Sequence, residues 1–418
     1  MQLSVVIPAL NEEANIGELI SALHEVVPSI SPQYELIVVD GGSVDKTREL
    51  AKMLNTKVLV QTERGYGGAL KEGFRTARGE YILTLDGDLS HSPTCIPQMW
   101  EACKRAQVVV ASRYVHGGSA DMPRFRRLLS KVLNRVFTTG LSLPLKDISS
   151  GFRLYRSSVV KNMELGSSDF DILEEILIKS YAQGWRIREV PFHYLPRKSG
   201  DSHVRLLKFG VAYLRTFRRM WSLRNSVLSA DYDYRAFDSR IPLQRYWQRR
   251  RYKIINRMAE GARATLDIGC GSSRILSALD GAVGLDVQMS KLRYVRRFDT
   301  ALVNATIDAL PFRDACFDCV VCSEVIEHVP CDETLFREMS RVLEAGGRLI
   351  LGTPDYGGVW WRVIERLYDL FAPGGYAEEH ITRYTRRSLV EMVERHGFTP
   401  QGIEYVGRSE MILSLRKA

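Results

Sequence analysis

Tyr81-Ile82-Leu83-Thr84-Leu85-Asp86-Gly87-Asp88 is an apolar run of strand composition that ends in two carboxylates separated by one glycine. Ile, Leu, Thr and Tyr bounded by turn residues predict a buried strand. Carboxylates at the end of such a strand are costly to bury unless something pairs with them, and a divalent cation is the obvious partner. Gly87 lets the chain turn tightly, so that Asp86 and Asp88 can face one point. A plain Asp-Gly turn would give the same local pattern, so the flanking chain has to decide between the two.

Upstream, residues 3–7 read as a strand. They lead into Pro8-Ala9-Leu10-Asn11-Glu12-Glu13, where Asn11 is expected to cap a helix with acids in its first turn. A second strand, residues 34–39, ends at Asp40-Gly41-Gly42-Ser43, with a helix from about Asp45. A third, residues 57–61, runs into Arg64-Gly65-Tyr66-Gly67-Gly68-Ala69 and a helix through Arg78. Strands alternating with helices predict a mostly parallel sheet covered on both faces, with ligands gathering at the carboxyl ends of the strands. Pro8, Glu12, Asp40, Arg64, Gly67 and Asp86 all fall at those ends, the pattern of a nucleotide site.

These segments resemble the family 2 glycosyltransferases of the A-type fold, through Val6-Ile7-Pro8-Ala9-Leu10-Asn11-Glu12-Glu13, Val38-Val39-Asp40-Gly41-Gly42-Ser43 and Asp86-Gly87-Asp88-Leu89-Ser90-His91-Ser92-Pro93. Later pieces narrow the resemblance to the dolichyl-phosphate mannose synthase branch. They are Ala111-Ser112-Arg113-Tyr114, then Arg126 with Ser130 and Asn134, then Asp147-Ile148-Ser149-Ser150-Gly151-Phe152-Arg153. Last comes Glu189-Val190-Pro191-Phe192 with Arg197, Gly200 and Ser202. One departure is Gly41, where relatives often carry Asp. The resemblance implies a nucleoside diphosphate sugar as donor, held by Pro8, Asn11, Glu12, Asp40, Arg64, Gly67 and Asp86. It implies Mg²⁺ or Mn²⁺ on Asp88 and Asp86 to neutralise the diphosphate leaving group. It also implies a polyprenyl phosphate acceptor and inversion at the anomeric carbon. A phosphate monoester is already anionic near neutrality, so no strong general base is needed; the site needs cations instead. Arg113, Arg126 and Arg197, with Ser130 and Ser202, are the expected acceptor-phosphate groups. Arg126, Ser130 and Asn134 are spaced by four and would share a helix face.

The chain has 418 residues, 45% of them hydrophobic and 26% charged, values of a globular protein with room for two domains. No apolar run approaches the roughly 18–20 residues that span a bilayer, and the immediate strand at the N-terminus speaks against a signal peptide. The net charge of +9 is unevenly spread: residues 1–253 carry a net +12, while residues 254–418 carry a net −3. A basic first half suits nucleic acid, an anionic membrane surface or phosphorylated substrates; no nucleic-acid recognition motif is present. Residues 203–224 place Val204, Leu207, Val211, Leu214, Phe217 and Trp221 at helical spacing among Arg205, Lys208, Arg215, Arg218, Arg219 and Arg224. Such a basic amphipathic helix suits the lipid interface, which predicts a cytoplasmic protein peripheral to the inner membrane face. Packing of that apolar face on the protein itself is the competing reading. Seven cysteines fit reduced thiols. Cys319 and Cys322 fall on opposite faces of a predicted strand, which argues against a metal cluster with Cys316.

Residues 230–253 are aromatic and basic and read as an ordered connector leading into a second domain, residues 254–418. There the strand pattern restarts with Thr265-Leu266-Asp267-Ile268, runs into Gly269-Cys270-Gly271, and a second strand ends at Asp286. A glycine turn followed by an acid at the next strand's end is an adenosine-binding arrangement. The segment resembles class I S-adenosylmethionine-dependent methyltransferases of the Rossmann-like fold. The matching pieces are residues 267–271, Asp286, residues 304–312, residues 317–329 and residues 341–350. The resemblance implies S-adenosylmethionine as cofactor, bound by Asp267, Gly269, Gly271, Asp286, Asp308, Ala309 and Ser323. His380 is a candidate general base for O-methylation, with a structural loop histidine as the equal alternative. The expectation is a two-domain α/β transferase, with residues 1–229 as the glycosyltransferase. The rival is glycosyl transfer to a soluble or glycan acceptor, beside a cofactor-binding half without turnover.

Overall fold

The computed structural model describes residues 2–196, 206–364 and 380–418. Two units are present: Met1–Tyr181 with Trp185–Ser222, and Ala182–Gly184 with Leu223–Ala418. The expected sites Arg197 and Ser202, and residues 203–205 of the basic helix, lie outside the described residues.

The first unit contains β1 (Leu3–Ala9), β2 (Tyr34–Asp40), β3 (Lys57–Val60), β4 (Tyr81–Thr84), β5 (Val108–Ser112), β6 (Ser119–Ala120), β7 (Arg153–Arg156), β8 (Ile187–Pro191) and β9 (His193–Tyr194). Seven of these form one sheet in the order β3-β2-β1-β4-β7-β5-β8, while β6 and β9 pair separately. All pairings in the large sheet are parallel except those of β7, which is antiparallel to β4 and β5. β1 is buried at every position, as a strand covered on both faces must be. The order reverses at β1, which lies between β2 and β4, so a crevice opens at the carboxyl ends of β1 and β4.

From Leu223 the second unit runs through a short helix, Tyr232–Ala236, and a longer one, Pro242–Met258, so residues 230–253 are part of it. Its strands are β10 (Thr265–Ile268), β11 (Val283–Asp286), β12 (Ala301–Asn304), β13 (Phe317–Ser323), β14 (Leu343–Pro354), β15 (Phe398–Val406) and β16 (Glu410–Lys417). They are ordered β12-β11-β10-β13-β14-β16-β15, parallel except where β16 pairs with β14 and β15. Two cores cover its two faces. Cys322 packs in the one with Leu266 and Phe336, and Cys319 in the other with Trp247 and Ile350. The two thiols thus occupy opposite faces, and all seven cysteines are free.

Candidate active sites

At the carboxyl edge of the first sheet, β4 ends at Thr84 and the acidic turn follows. Asp88 is 1% exposed, and its Oδ1 accepts from the amide of Ser90 at 3.1 Å and the Ser90 hydroxyl at 2.5 Å. Between them Leu89 sits at φ +62, a strained conformation for such a side chain that the surrounding turn must enforce. Asp86 is half-buried; its Oδ1 accepts from Tyr66 Oη at 2.9 Å, and its amide donates to Nδ1 of buried His91 at 3.0 Å. Tyr66 stacks on Phe170 and His91 on Phe152, so both partners of Asp86 are held by aromatic packing.

The Pro8–Glu12 and Asp40–Thr47 loops are stitched into one wall. The amide of Asn11 donates to Ser43 Oγ at 2.9 Å, Val44 donates to Asn11 Oδ1 at 3.0 Å, and the Glu12 amide donates to Thr47 Oγ1 at 2.8 Å. Asn11 therefore does not cap a helix. It adopts φ +55, and the helix begins later, at Ile16 behind Asn15. Buried Asp40, register partner of Ala9, is fixed by the amides of Gly42 and Ser43 and lies 3.6 Å from Arg48 Nε. Arg64 is exposed. Gly67 is buried with its amide on Ser168 O at 2.8 Å, and a Cβ there would come within 2.7 Å of the Ser168 backbone. The glycine is thus required by chain approach, and its amide is already committed.

The expected phosphate cations divide. Arg113 grips Asp147 in bidentate fashion, Nε and Nη2 each at 2.7 Å, and reaches Ser149 Oγ at 2.8 Å. Burial opposes ionisation of Asp147, but Arg113 outweighs it and holds the carboxyl below its ordinary value. Arg113 thus carries a buried counter-ion, which the sequence reading did not include. Arg126 is exposed on the helix Arg124–Gly140. Its field reaches Tyr194, whose hydroxyl pKa is raised by burial, then by Asp88 and Asp86, with Arg126 opposing. Ser130 accepts from Tyr114 Oη at 2.8 Å, and Asn134 is buried, bonded to Ser149 Oγ and the Ile148 amide.

In the second unit a cavity of about 560 Å³ opens where strand order reverses beside β10. Asp267, Gly269, Gly271, Asp286, Asp308 and Ser323 line it; Ala309 does not. Gly269 has φ +67, and a Cβ there would fall 2.2 Å from Val325 Cγ2. Asp286 Oδ2 accepts from the Gly271 amide at 2.8 Å and Oδ1 from the Gln288 amide at 2.7 Å. Burial and the neighbouring Asp286 push Asp267 up to about 8. Residues read as connector, Tyr232, Asp233, Trp247 and Arg251, form one wall. Asp233 receives Lys291 Nζ at 2.6 Å, and burial is outweighed by Lys291 so that its carboxyl is held low. His380 also lines the cavity, but burial, then His328 and Arg383, depress it to about 4. It is a neutral imidazole at pH 7, a weaker base than an ordinary histidine.

Residues 4–163 match the family described as glycosyl transferase family 2, and residues 266–351 a methyltransferase domain family. Dolichol-phosphate mannosyltransferase of Pyrococcus furiosus is 37% identical over 216 residues, 49% of this chain and 60% of that protein. Undecaprenyl-phosphate 4-deoxy-4-formamido-L-arabinose transferase of Edwardsiella ictaluri is 35% identical over 49% of this chain and 63% of that protein. Dolichol-phosphate mannosyltransferase of Saccharomyces cerevisiae is 30% identical over 53% of this chain and 94% of that protein. The chain thus spans under two thirds of the first two relatives and nearly all of the third.

Proposed function

We propose, for a chain that belongs to the family 2 glycosyltransferases in its N-terminal half and carries a methyltransferase domain in its C-terminal half, that it is a bifunctional transferase. The first unit transfers a hexose, mannose before glucose, from a nucleoside diphosphate sugar to a polyprenyl phosphate. The second methylates an oxygen of a related glycan or lipid. The observation that carries the first half is the buried Asp88 beside half-buried Asp86 at a sheet edge where Asp40, Asn11 and Glu12 converge. Two of the relatives are named for dolichol phosphate and one for undecaprenyl phosphate, which supports a polyprenyl phosphate acceptor.

Hard oxygen donors of opposite charge suit Mg²⁺ or Mn²⁺, so Asp88 and Asp86 would hold the ion, which supplies charge neutralisation of the departing diphosphate. Tyr66 and His91 keep Asp86 in place. The wall built from residues 8–12 and 40–47 encloses the nucleotide. Arg126 faces the acceptor phosphate from the helix Arg124–Gly140, and Arg113, neutralised by Asp147, holds the segment Asp147–Ser149 in place. In the second unit the Gly269–Gly271 turn leaves backbone room for S-adenosylmethionine, with Asp286 beside the ribose.

The proposed membrane contact takes in a second helix. No helix among the described residues is long and apolar enough to cross a bilayer. In the helix Leu206–Arg224, Val211, Leu214 and Trp221 are exposed. The helix Arg124–Gly140 exposes Phe125, Leu128, Leu129, Val132 and Val136 among its basic residues. Phe137 and Phe217 join the two helices, ring centroids 5.1 Å apart. Apolar stripes this exposed, flanked by Arg and Lys, support an interfacial position.

The test is nucleotide release from a panel of GDP- and UDP-hexoses with Mg²⁺, with and without polyprenyl phosphate. Release should require the lipid phosphate and fall about 100-fold or more in Asp88→Ala. Release of equal rate without lipid would replace this reading with transfer to a soluble acceptor.

A further inference from the structure

Within the second unit, two stretches far apart in sequence are tied together at the rim of the cavity. The carbonyl of Glu327 accepts from the amides of Ile381 at 2.8 Å and Thr382 at 3.0 Å, and Thr382 Oγ1 donates to Val329 O at 2.7 Å. This lattice brings His380 to Glu327 and His328. One potential ligand atom from each of the three lies within 4.8 Å of the others, and the two imidazole centroids are 4.9 Å apart.

Glu327 and His380 are oriented from behind. Glu327 is 0% exposed; its Oε2 accepts from Thr353 Oγ1 at 3.1 Å, while its buried Oε1 has no hydrogen-bond partner among the described residues. A buried carboxylate oxygen without a partner is expensive and points to something that completes it. His380 Nδ1 pairs with Tyr356 Oη at 2.6 Å, and Trp361 stacks on the ring at 5.9 Å. With Nδ1 paired to Tyr356, Nε2 is the nitrogen left to ligate, and a hydrogen bond on the opposite ring nitrogen is the usual support of a metal-binding imidazole.

We propose that Glu327, His328 and His380 form a divalent-cation site at the mouth of the second unit's cavity, and that its cargo is an acceptor bearing a free hydroxyl. Two imidazoles and one carboxylate suit a first-row cation such as Mn²⁺, Co²⁺ or Zn²⁺ and leave coordination positions open. His328 and His380 line the same cavity as Gly269 and Asp286, so an oxygen placed at the cation would lie toward the cofactor side. A cation there lowers the pKa of a hydroxyl, a task the sequence reading gave to His380 as base. In the reaction the hydroxyl proton passes to solvent, the oxygen–carbon bond forms as the sulfonium carbon–sulfur bond breaks, and a thioether leaves. The assignment of the acceptor rests on the methyltransferase reading; the cation site itself does not.

The test uses the tag-free full chain carrying Asp86→Ala and Asp88→Ala, which together remove the acidic site of the first unit. Titration with Co²⁺ should saturate at one equivalent with a d–d absorption characteristic of nitrogen ligation. His380→Ala and Glu327→Gln, each added to that chain, should weaken Co²⁺ binding at least about tenfold. Independently of any ligand variant, Cu²⁺ bound to the same chain should show nitrogen hyperfine splitting from two imidazoles. Absence of saturable binding, unchanged affinity in both variants, or an oxygen-only Cu²⁺ spectrum would each overturn the site. Calorimetry with S-adenosylmethionine is run separately. Loss of cofactor binding with Co²⁺ binding intact would leave the cation site standing and overturn only the acceptor assigned to it.

Discussion

Asp147 is fully buried and answers Arg113 with two short bonds, while its amide donates to Glu189 Oε1 at 2.8 Å. Asp147→Asn leaves a guanidinium in a largely buried place without its counter-ion. It should cost about 3–5 kcal/mol of unfolding free energy, read by urea denaturation; a loss under about 1 kcal/mol would mean that solvent already screens the pair. Glu174 is the opposite case. Burial raises its carboxyl from 4.5 to about 8, with Arg153 opposing and Asp171 and Asp147 adding to the rise. Neither of its carboxyl oxygens has a hydrogen-bond partner among the described residues. The folded state holds this proton and the unfolded chain releases it, so stability is full below pH 4.5 and falls as pH rises toward 8. Glu174→Gln should raise stability at pH 8 by at least about 1 kcal/mol and change it little at pH 4; equal gains at both pH values would refute a titration origin. At this scale the acids at strand ends were legible, because strand composition stops abruptly at each. The settings of Asp147, Glu174 and Glu327 were not, because the groups that define them, Arg113, Arg153 and His380, are distant in sequence.

Among elements, strands read more truly than helix starts. The strand beginning at Tyr81 ends at Thr84 rather than running on to the carboxylates, and the turn itself comes at Gly87 and Asp88. The helix after Asn11 starts four residues late because the Asn11 side chain bonds across to Val44, a contact between loops that local propensity does not register. The opposed faces of Cys319 and Cys322 follow from strand period alone. The helix Arg124–Gly140 drew notice for its polar face of Arg126, Ser130 and Asn134, and its apolar stripe became visible only with exposure. Leu128 and Val132 are 58% and 51% exposed. Leu128→Glu with Val132→Glu should abolish flotation on anionic vesicles while shifting stability by no more than about 0.5 kcal/mol. Undiminished flotation of the double variant would remove this helix from the interface.

At the scale of the whole chain, the same device occurs twice: a strand order that reverses, and acids and glycines at the ends of the strands beside the reversal. That repetition was readable because each sheet follows the alternation of strand and helix. The walls of the second cavity were not, since residues 230–253 have the composition of a connector yet contribute Tyr232, Asp233, Trp247 and Arg251. The central claim is that the first unit links a hexose to a lipid phosphate with inversion. The most direct measurement incubates the protein with an α-linked nucleoside diphosphate hexose labelled in the sugar, Mg²⁺ and polyprenyl phosphate, then determines where the label goes and its anomeric configuration by NMR. The account predicts label in the organic phase as a β-linked hexosyl phosphate. An α-linked product, or label confined to a water-soluble glycan, would contradict it.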